Sequence, residues 1–336
     1  MSVGLDIGTN TIKVVELEQN NNKFSLKASG VIGYRGVYVE KLADERSIAD
    51  MAEVIKKLFK AANVSKKDIV ISLPENLVFT RAIKLPILTD QEVSAAIKWE
   101  AEQYIPIPLN EAIIQHQIIE RVSTGPTPEV TVLLVAAPRA LVKKYVDLLS
   151  AAKLRVVTVE TELMSMVRSL APSNQTALVI DYGARSVDVA IAKNGMLVFS
   201  RSISSAGEAL TRALNQSLGI TLQEAEEYKR TYGMSSGHLD GKIRGALEPI
   251  VGGVINEIKK AIHFYQTEEK GQLPTSTIVS GGVAGMPEFI SYLTKSIGNE
   301  VLIANPFANI QVPKEVWSNL SAYSPLYSVA VGLAMR

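Results

Sequence analysis

Val3-Gly4-Leu5-Asp6-Ile7-Gly8-Thr9-Asn10-Thr11-Ile12-Lys13-Val14 stands at the head of the chain and carries the reading of its fold. An apolar run ends in an acid, a glycine turn follows, and a second apolar run leaves it, the pattern of a β-hairpin. The same form returns at Leu178-Val179-Ile180-Asp181-Tyr182-Gly183-Ala184-Arg185-Ser186-Val187-Asp188-Val189. Asp181 falls on Asp6, Gly183 on Gly8, Ser186 on Thr11 and Val187 on Ile12, without a gap. A hairpin repeated with its acid, glycine, hydroxyl and flanking alternation predicts two similar lobes. The 336 residues suffice for two, since domains run to about 100–200 residues each.

Outward from each hairpin a third strand is predicted, at Phe24–Ile32 and at Met196–Ile203, the latter after the turn Lys193-Asn194-Gly195. Ile48, Met51, Ala52, Ile55, Leu58 and Phe59 keep helical spacing across Arg46–Ala62, and Asp68–Leu73 is a β-rich run stopped by Pro74. The segment from about Leu85 to Val157 reads as an inserted α/β module. It holds a helix at Gln91–Tyr104 with Thr89 as N-cap, strands at Ala112–Arg121 and Val130–Ala137 around a loop at 123–128, a helix at Arg139–Ala152 and a strand at Leu154–Val159. In the second half, helices are predicted at Gly207–Leu218, Leu222–Tyr232 and Leu247–Thr267. A buried strand at Ser276–Val279, a helix from about Met286 to Ile297 and an apolar helix at Tyr327–Met335 complete the order.

Composition closes several classes. With no cysteine there is no disulfide framework, Cys-based zinc site or iron–sulfur cluster. Net charge is +1, which gives no electrostatic footprint for nucleic acid, and the densest basic group, Lys57, Lys60, Lys66 and Lys67, reads as a solvated helix face. The longest apolar stretches, such as Val130–Pro138, are far short of the roughly 20 residues that span a bilayer. Val3–Ile7 starts with no basic segment ahead of it, so no signal peptide is expected. His116, His238 and His263 lack metal-ligand spacing, and Trp99 and Trp317 read as packing residues.

The chemistry concentrates on the two hairpins. Asp6 and Asp181 each end an apolar strand at a glycine turn, and a pair of carboxylates suits Mg²⁺ carried by a nucleotide, which keeps several waters and takes one or two carboxylates. Gly8 and Gly183 let backbone N–H groups approach phosphate oxygens, while Thr9, Asn10 and Thr11 add donors and Lys13 a point charge. Ser280-Gly281-Gly282-Val283 follows a strand and precedes a helix, where glycines admit a flat ligand such as adenosine. The phosphate-loop and dinucleotide fingerprints are both missing.

Taken together these motifs resemble the actin/Hsp70/sugar-kinase superfamily: two duplicated RNase H-like lobes of the actin-like ATPase fold. Leu5–Lys13 resembles its first phosphate motif and Ile180–Asp188 its second. Val157-Thr158-Val159-Glu160 resembles the first connection, Ser280–Ala284 the adenosine motif and Ala330–Ala334 the second connection. Ala225-Glu226 with Lys229 resembles the helix whose Glu and Lys hold ribose and adenine. Within the superfamily, Leu85-Pro86, the helix 91–105 ending at Pro106, and Ala261–Gln266 resemble the PilM family of type IV pilus assembly proteins, itself similar to FtsA. The chain shows no counterpart of FtsA's C-terminal membrane-targeting helix.

The resemblance implies a first lobe at 1–84 to which 158–175 and 325–336 return, an FtsA/PilM-type subdomain at 85–157, and a second lobe at 176–324. It implies ATP and Mg²⁺ as ligands. Asp6 and Asp181 face the metal, and Gly8, Thr9, Asn10, Thr11, Lys13, Gly183, Ala184, Arg185, Ser186, Glu226, Lys229, Gly281, Gly282 and Val283 face the nucleotide. Asp181 and Glu160 are the candidates for catalysis, with slow hydrolysis expected; Thr161-Glu162-Leu163-Met164 departs from the small residues usual after Glu160. The implied partner is the N-terminal peptide of PilN, an inner-membrane protein, in a groove between the first lobe and the inserted module, with self-association as a further mode. That places the protein in the cytoplasm, at the membrane only through its partner. Two other readings of the fold stand beside this one, a small-molecule kinase and an FtsA-like filament former. No polar sugar-binding cluster supports the kinase.

Overall fold

In the computed structural model, which describes residues 2–21, 23–123 and 128–336, the opening stretch folds as expected. β1 (Ser2–Ile7) and β2 (Thr11–Asn20) pair antiparallel, and β3 (Lys23–Gly33) adds to β2. Helix α1 (Glu45–Ala61) starts at Asp44, whose carboxylate accepts the Ser47 N–H, and its apolar stripe Met51, Ala52, Ile55, Leu58 and Phe59 is buried. It leads to β4 (Asp68–Leu73), which runs parallel to β1.

From β4 the chain enters the inserted module, whose extent differs from expectation. Its sheet begins at β5 (Phe79–Pro86), and α2 (Asp90–Tyr104) follows with a complete capping box between Thr89 and Glu92. β6 (Ala112–Val122) and β7 (Glu129–Pro138) complete an antiparallel sheet in the order β5-β7-β6. The loop between β6 and β7 was predicted at 123–128, and residues 124–127 of it lie outside the described residues. Val93, Ile97 and Ala101 of α2 pack on Ile83, Leu85, Val130, Val132 and Leu134.

The next two elements, α3 (Arg139–Ala151) and β8 (Arg155–Thr161), are not part of that sheet. Leu141, Tyr145, Leu148 and Leu149 enter the same core as Val3, Leu5, Ile69 and Ile71, and β8 pairs parallel with β4 from Asp68↔Arg155 to Leu73↔Thr161. An apolar stripe shows in sequence, but not which sheet it covers. Helix α4 (Glu162–Leu170) follows β8 directly.

The second half repeats the plan. β9 (Thr176–Tyr182), β10 (Val187–Lys193) and β11 (Met196–Ile203) form an antiparallel meander. Asn194 and Gly195 both have positive φ, as the two-residue hairpin turn requires. Helices α5 (Gly207–Leu218), α6 (Leu222–Tyr232) and α7 (Lys242–Thr267) precede β12 (Ser276–Ser280). After it come α8 (Phe289–Ile297), β13 (Val301–Ile303), β14 (Ile310–Gln311), α9 (Lys314–Leu320) and α10 (Ser328–Ala334).

Two compact units result. One holds Met1–Arg168, Met196–Ser200 and Val329–Arg336, the other Ser169–Gly195 and Arg201–Ser328. The strand runs β3-β2-β1-β4-β8 and β11-β10-β9-β12-β13 each make a hairpin meander extended by two parallel strands. In the first unit α10 packs so closely on β1 and α4 that glycine is required on both sides. A Cβ at Gly4 would lie 2.1 Å from the Ala330 oxygen, and one at Gly332 would lie 1.8 Å from that of Ser165. Among the described residues no helix is long and apolar enough to cross a membrane.

Candidate functional site

The first hairpin turn is closed by the Gly8 N–H, which donates to the Thr11 oxygen at 3.1 Å. Thr9 is half-buried and Asn10 exposed at its tip, and the Asn10 oxygen accepts the Tyr34 N–H at 3.0 Å. Asp6 and Lys13 are cross-strand partners and so share one face of the sheet. Lys13 Nζ donates to Asp6 Oδ2 at 2.9 Å with both residues buried. A Cβ at Gly8 would lie 3.1 Å from Lys13 Nζ, which puts the ammonium beneath the turn.

In the second unit the same turn recurs, with the Gly183 N–H donating to the Ser186 oxygen at 3.0 Å. Here Asp181 stands across from Asp188 where the first hairpin sets Asp6 across from Lys13. Asp188 is buried, and its Oδ2 accepts from Ser186 Oγ at 2.7 Å. Burial pushes the Asp188 carboxyl pKa up, against the opposing pull of hydrogen bonds from Ser202 and Ser186. Two hairpins alike in backbone thus differ in the charge under the turn.

Around this second turn the structure gathers four other segments. Helix α5 begins on it: Gly207 N–H donates to Gly183 O at 3.1 Å and Glu208 N–H to Ala184 O at 2.8 Å. A Cβ at Gly207 would stand 3.0 Å from the Gly183 oxygen and 3.3 Å from Val283 Cγ2. On α6, the buried Lys229 donates to Gly207 O at 3.1 Å, Thr211 Oγ1 at 2.9 Å and Glu226 Oε2 at 2.6 Å. Thr211 Oγ1 also donates to Glu226 Oε2 at 2.6 Å. After β12, Gly281 takes φ +89°, where a Cβ would fall 2.4 Å from the Tyr182 oxygen and 2.5 Å from Asp181 Oδ1. The Val283 N–H donates to Tyr182 O at 3.3 Å. Gly282 is more open, with Leu326 Cδ2 at 4.0 Å from a Cβ placed on it. Ser280 Oγ, bonded to Pro325 O at 2.7 Å and to Ser328 Oγ at 2.9 Å, ties the strand end to the segment carrying Leu326.

Gly183, Ala184, Ser186, Glu226, Lys229, Gly281 and Val283 therefore converge, each through a contact inside the second unit. Arg185 sits half-buried on the same turn. Two assignments change. An ammonium has three N–H donors, and all of Lys229's meet protein acceptors, so it ties α5 to α6 rather than offering a free charge. Glu226, whose side chain is 45% exposed, is the member of that cluster open to a ligand. Glu160 is also committed: its two oxygens accept from Arg168 at 2.6 and 2.7 Å, and Arg168 donates to Gly332 O at 2.7 Å. That geometry is an ion pair tying β8 to α4 and α10, not a base aimed at water.

Sequence reasoning passed over Gly207, Thr211 and Asp188. A glycine starting a helix shortly after a strand, with a hydroxyl one turn later, is the available signal for the first two. Trp99, read as a packing residue, is 75% exposed on α2, while Trp317 does pack, edge-on to Phe307.

Among the described residues no group of three or more His, Cys, Asp or Glu side chains could hold a metal ion unaided. A cation at Asp6 or Asp181 would need oxygens brought by its ligand, as Mg²⁺ on a nucleotide has. Within the second unit, a glycine turn and an exposed acid on α6 suit an anionic ligand with a polar, hydroxylated part; within the first, a glycine turn over a buried cation suits an anion.

The profile of the type IV pilus assembly protein PilM family matches residues 4–336. The cell division protein FtsA of Streptococcus pneumoniae serotype 2 is 25% identical over 356 aligned positions, covering 91% of this chain and 78% of that one. FtsA of Enterococcus hirae is 21% identical, covering 98% and 86%. Among solved structures, a PilM–PilN type IV pilus biogenesis complex aligns with TM-score 0.85 at 26% identity, over 100% of this chain and 98% of that one. MreB5 of Spiroplasma citri bound to AMPPNP aligns with TM-score 0.56 at 16% identity over 99% and 94%, a likeness of fold alone.

Proposed function

The chain belongs to the type IV pilus assembly protein PilM family, and from that premise we propose that it is an actin-like assembly protein that binds ATP with Mg²⁺ and docks the N-terminal peptide of a PilN-type inner-membrane protein. One observation carries the nucleotide half: the second hairpin turn, Gly207, Gly281–Val283 and the Thr211–Glu226–Lys229 cluster meet at glycine backbones packed too closely for a Cβ at Gly281. The Gly183–Ser186 turn and the Gly8–Thr11 turn would each hold phosphate oxygens, and Glu226 would accept a ribose hydroxyl. Asp6 and Asp181 would face the Mg²⁺, bound Mg²⁺ would neutralise phosphate charge, and Lys13 would supply a further positive charge. Glu160 has no part in the proposed chemistry, so any turnover is expected to be slow.

The partner half is supported by the likeness to a PilM–PilN complex over the whole chain. The peptide is proposed to lie where the inserted module meets the first sheet, which holds the protein on the cytoplasmic face of the membrane through that partner.

The test is a calorimetric titration of MgATP into the wild type, Asp6→Ala and Asp181→Ala, followed by pull-down with a PilN N-terminal peptide. Micromolar binding by the wild type, weakened in both variants, is the expected result. A wild type that binds the peptide but no nucleotide reduces the protein to an adaptor.

A further inference from the structure

The first unit has a second end, away from its phosphate-binding turn. Strands β1, β4 and β8 run parallel, so the starts of β4 and β8 lie together: Asp68 pairs with Arg155, and the Arg155 N–H donates to Lys67 O at 2.8 Å. β2 returns antiparallel to this end and turns at Asn20↔Lys23. The α1–β4 loop is fastened here as well, because the buried Glu16 accepts from Ser65 N–H at 2.8 Å and from Ser65 Oγ at 2.5 Å. Helix α1 arrives with Lys57 and Lys60 near its end, and Lys153 follows α3 two residues before β8.

Lys23, Lys57, Lys60, Lys66, Lys67 and Lys153 are thus brought to one end of one sheet, and all six are exposed. The acids nearby are already engaged. Glu18 pairs with Lys27, Glu53 with Lys56 and Asp68 with Arg155. Among the described residues none of the six lysines has a carboxylate within 4.0 Å. This is not one solvated helix face: only Lys57 and Lys60 lie on α1. The helix dipole accounts for a cation or two at the ends of α1 and α3, but Lys23, Lys66 and Lys67 sit on a hairpin and a strand lead-in.

We propose that this lysine-rich end of the first unit is a contact surface for anionic lipid headgroups. Lysines are flexible point charges suited to a diffuse negative surface, whereas tight phosphate recognition favours forked arginines. The one arginine here, Arg155, is committed to Asp68. Among the described residues no aromatic side chain at this end is exposed, as base stacking on single-stranded nucleic acid would use. The N-terminal ends of β1, β4 and β8 are opposite the Gly8–Thr11 turn at the C-terminal end of β1, so the lysines do not serve the nucleotide. The proposal does not depend on the nucleotide reading.

The test is flotation of the full chain with vesicles of phosphatidylglycerol and phosphatidylcholine, against vesicles of phosphatidylcholine alone. The variant combines Lys57→Gln, Lys60→Gln, Lys66→Gln and Lys67→Gln, with thermal melting to confirm its fold. A control combines Lys242→Gln and Lys259→Gln on α7. Each lysine at an anionic surface is worth roughly fivefold, so the four together are expected to weaken binding to anionic vesicles by about a hundredfold or more. The control binds as wild type does, and raising the ionic strength removes the difference. Equal binding by wild type and fourfold variant, equal binding to both vesicle types, or capture of a labelled RNA with vesicles ignored overturns the proposal.

Discussion

Gly281 shows how one residue's backbone decides what the second unit can hold. Its φ of +89° is one that side chains rarely adopt, and an added Cβ would meet Asp181 Oδ1 and the Tyr182 oxygen. Gly281→Ala is therefore expected to cost about 1–3 kcal/mol of stability and to remove MgATP binding, read by denaturant titration and calorimetry on one preparation. Retained affinity in a folded variant would separate this turn from the nucleotide. Asp188 makes a different statement. Its carboxyl is raised by burial above the ordinary 3.8. An acid raised in the folded state adds stability below its unfolded pKa, and that contribution is lost as pH rises through the folded value. Neutral pH lies above the unfolded value, where that contribution is already being lost. Asp188→Asn is expected to melt at or above the wild type at pH 7, with the gap closing as pH falls toward 3.8. An Asp188→Asn protein that melts well below the wild type at pH 7 contradicts the assignment.

At the scale of elements, what was legible followed from local pattern. The hairpin turns, the Thr89 cap and the bounds of α5 and α6 rest on neighbours in sequence, and the structure places them within a residue or two. What was not legible depended on the choice of a distant partner. The stripe of α3 fits either sheet, and only the assembled core assigns it to Val3, Leu5 and Ile71. Lys229 carried the right residue type at the right spacing, yet its role turned on Gly207 and Thr211, which approach from another helix. α6 holds that cluster through its capping box, in which Glu224 N–H donates to Thr221 Oγ1 at 3.2 Å. Thr221→Ala is expected to cost about 1 kcal/mol and to weaken nucleotide binding while leaving PilN-peptide capture unchanged. The contact of α10 with its neighbours is stricter. Gly332→Ala forces a methyl against the Ser165 backbone, so a loss of about 3 kcal/mol is expected, the upper range for overpacking, seen as a melting point lowered by several degrees. A melting point that does not change would mean the backbone gives way there.

For the molecule as a whole, duplication separates tasks. Both halves of the chain use the strand order of a hairpin meander plus two parallel strands, and both place a glycine turn at the C-terminal end of the first strand. The copies then diverge where chemistry is concerned: Lys13 lies beneath the first turn and Asp188 beneath the second, so one can supply a positive charge and the other cannot. In the first unit the sheet itself keeps the lysine-rich end apart from that turn by the length of its strands. Two ligands that touch opposite strand ends and bias no common element have no means to alter one another's affinity, because coupling needs a difference each ligand can feel. MgATP affinity is accordingly expected to be the same with and without saturating anionic vesicles, and the same in the fourfold lysine variant. MgATP at about a hundred times its dissociation constant is expected to stabilise both proteins by about 2.7 kcal/mol. Calorimetry in the presence of vesicles checks this directly. An affinity that shifts tenfold or more on vesicle binding would show that the two ends of the sheet communicate, and lipid would then become a regulator of the nucleotide state rather than an independent anchor.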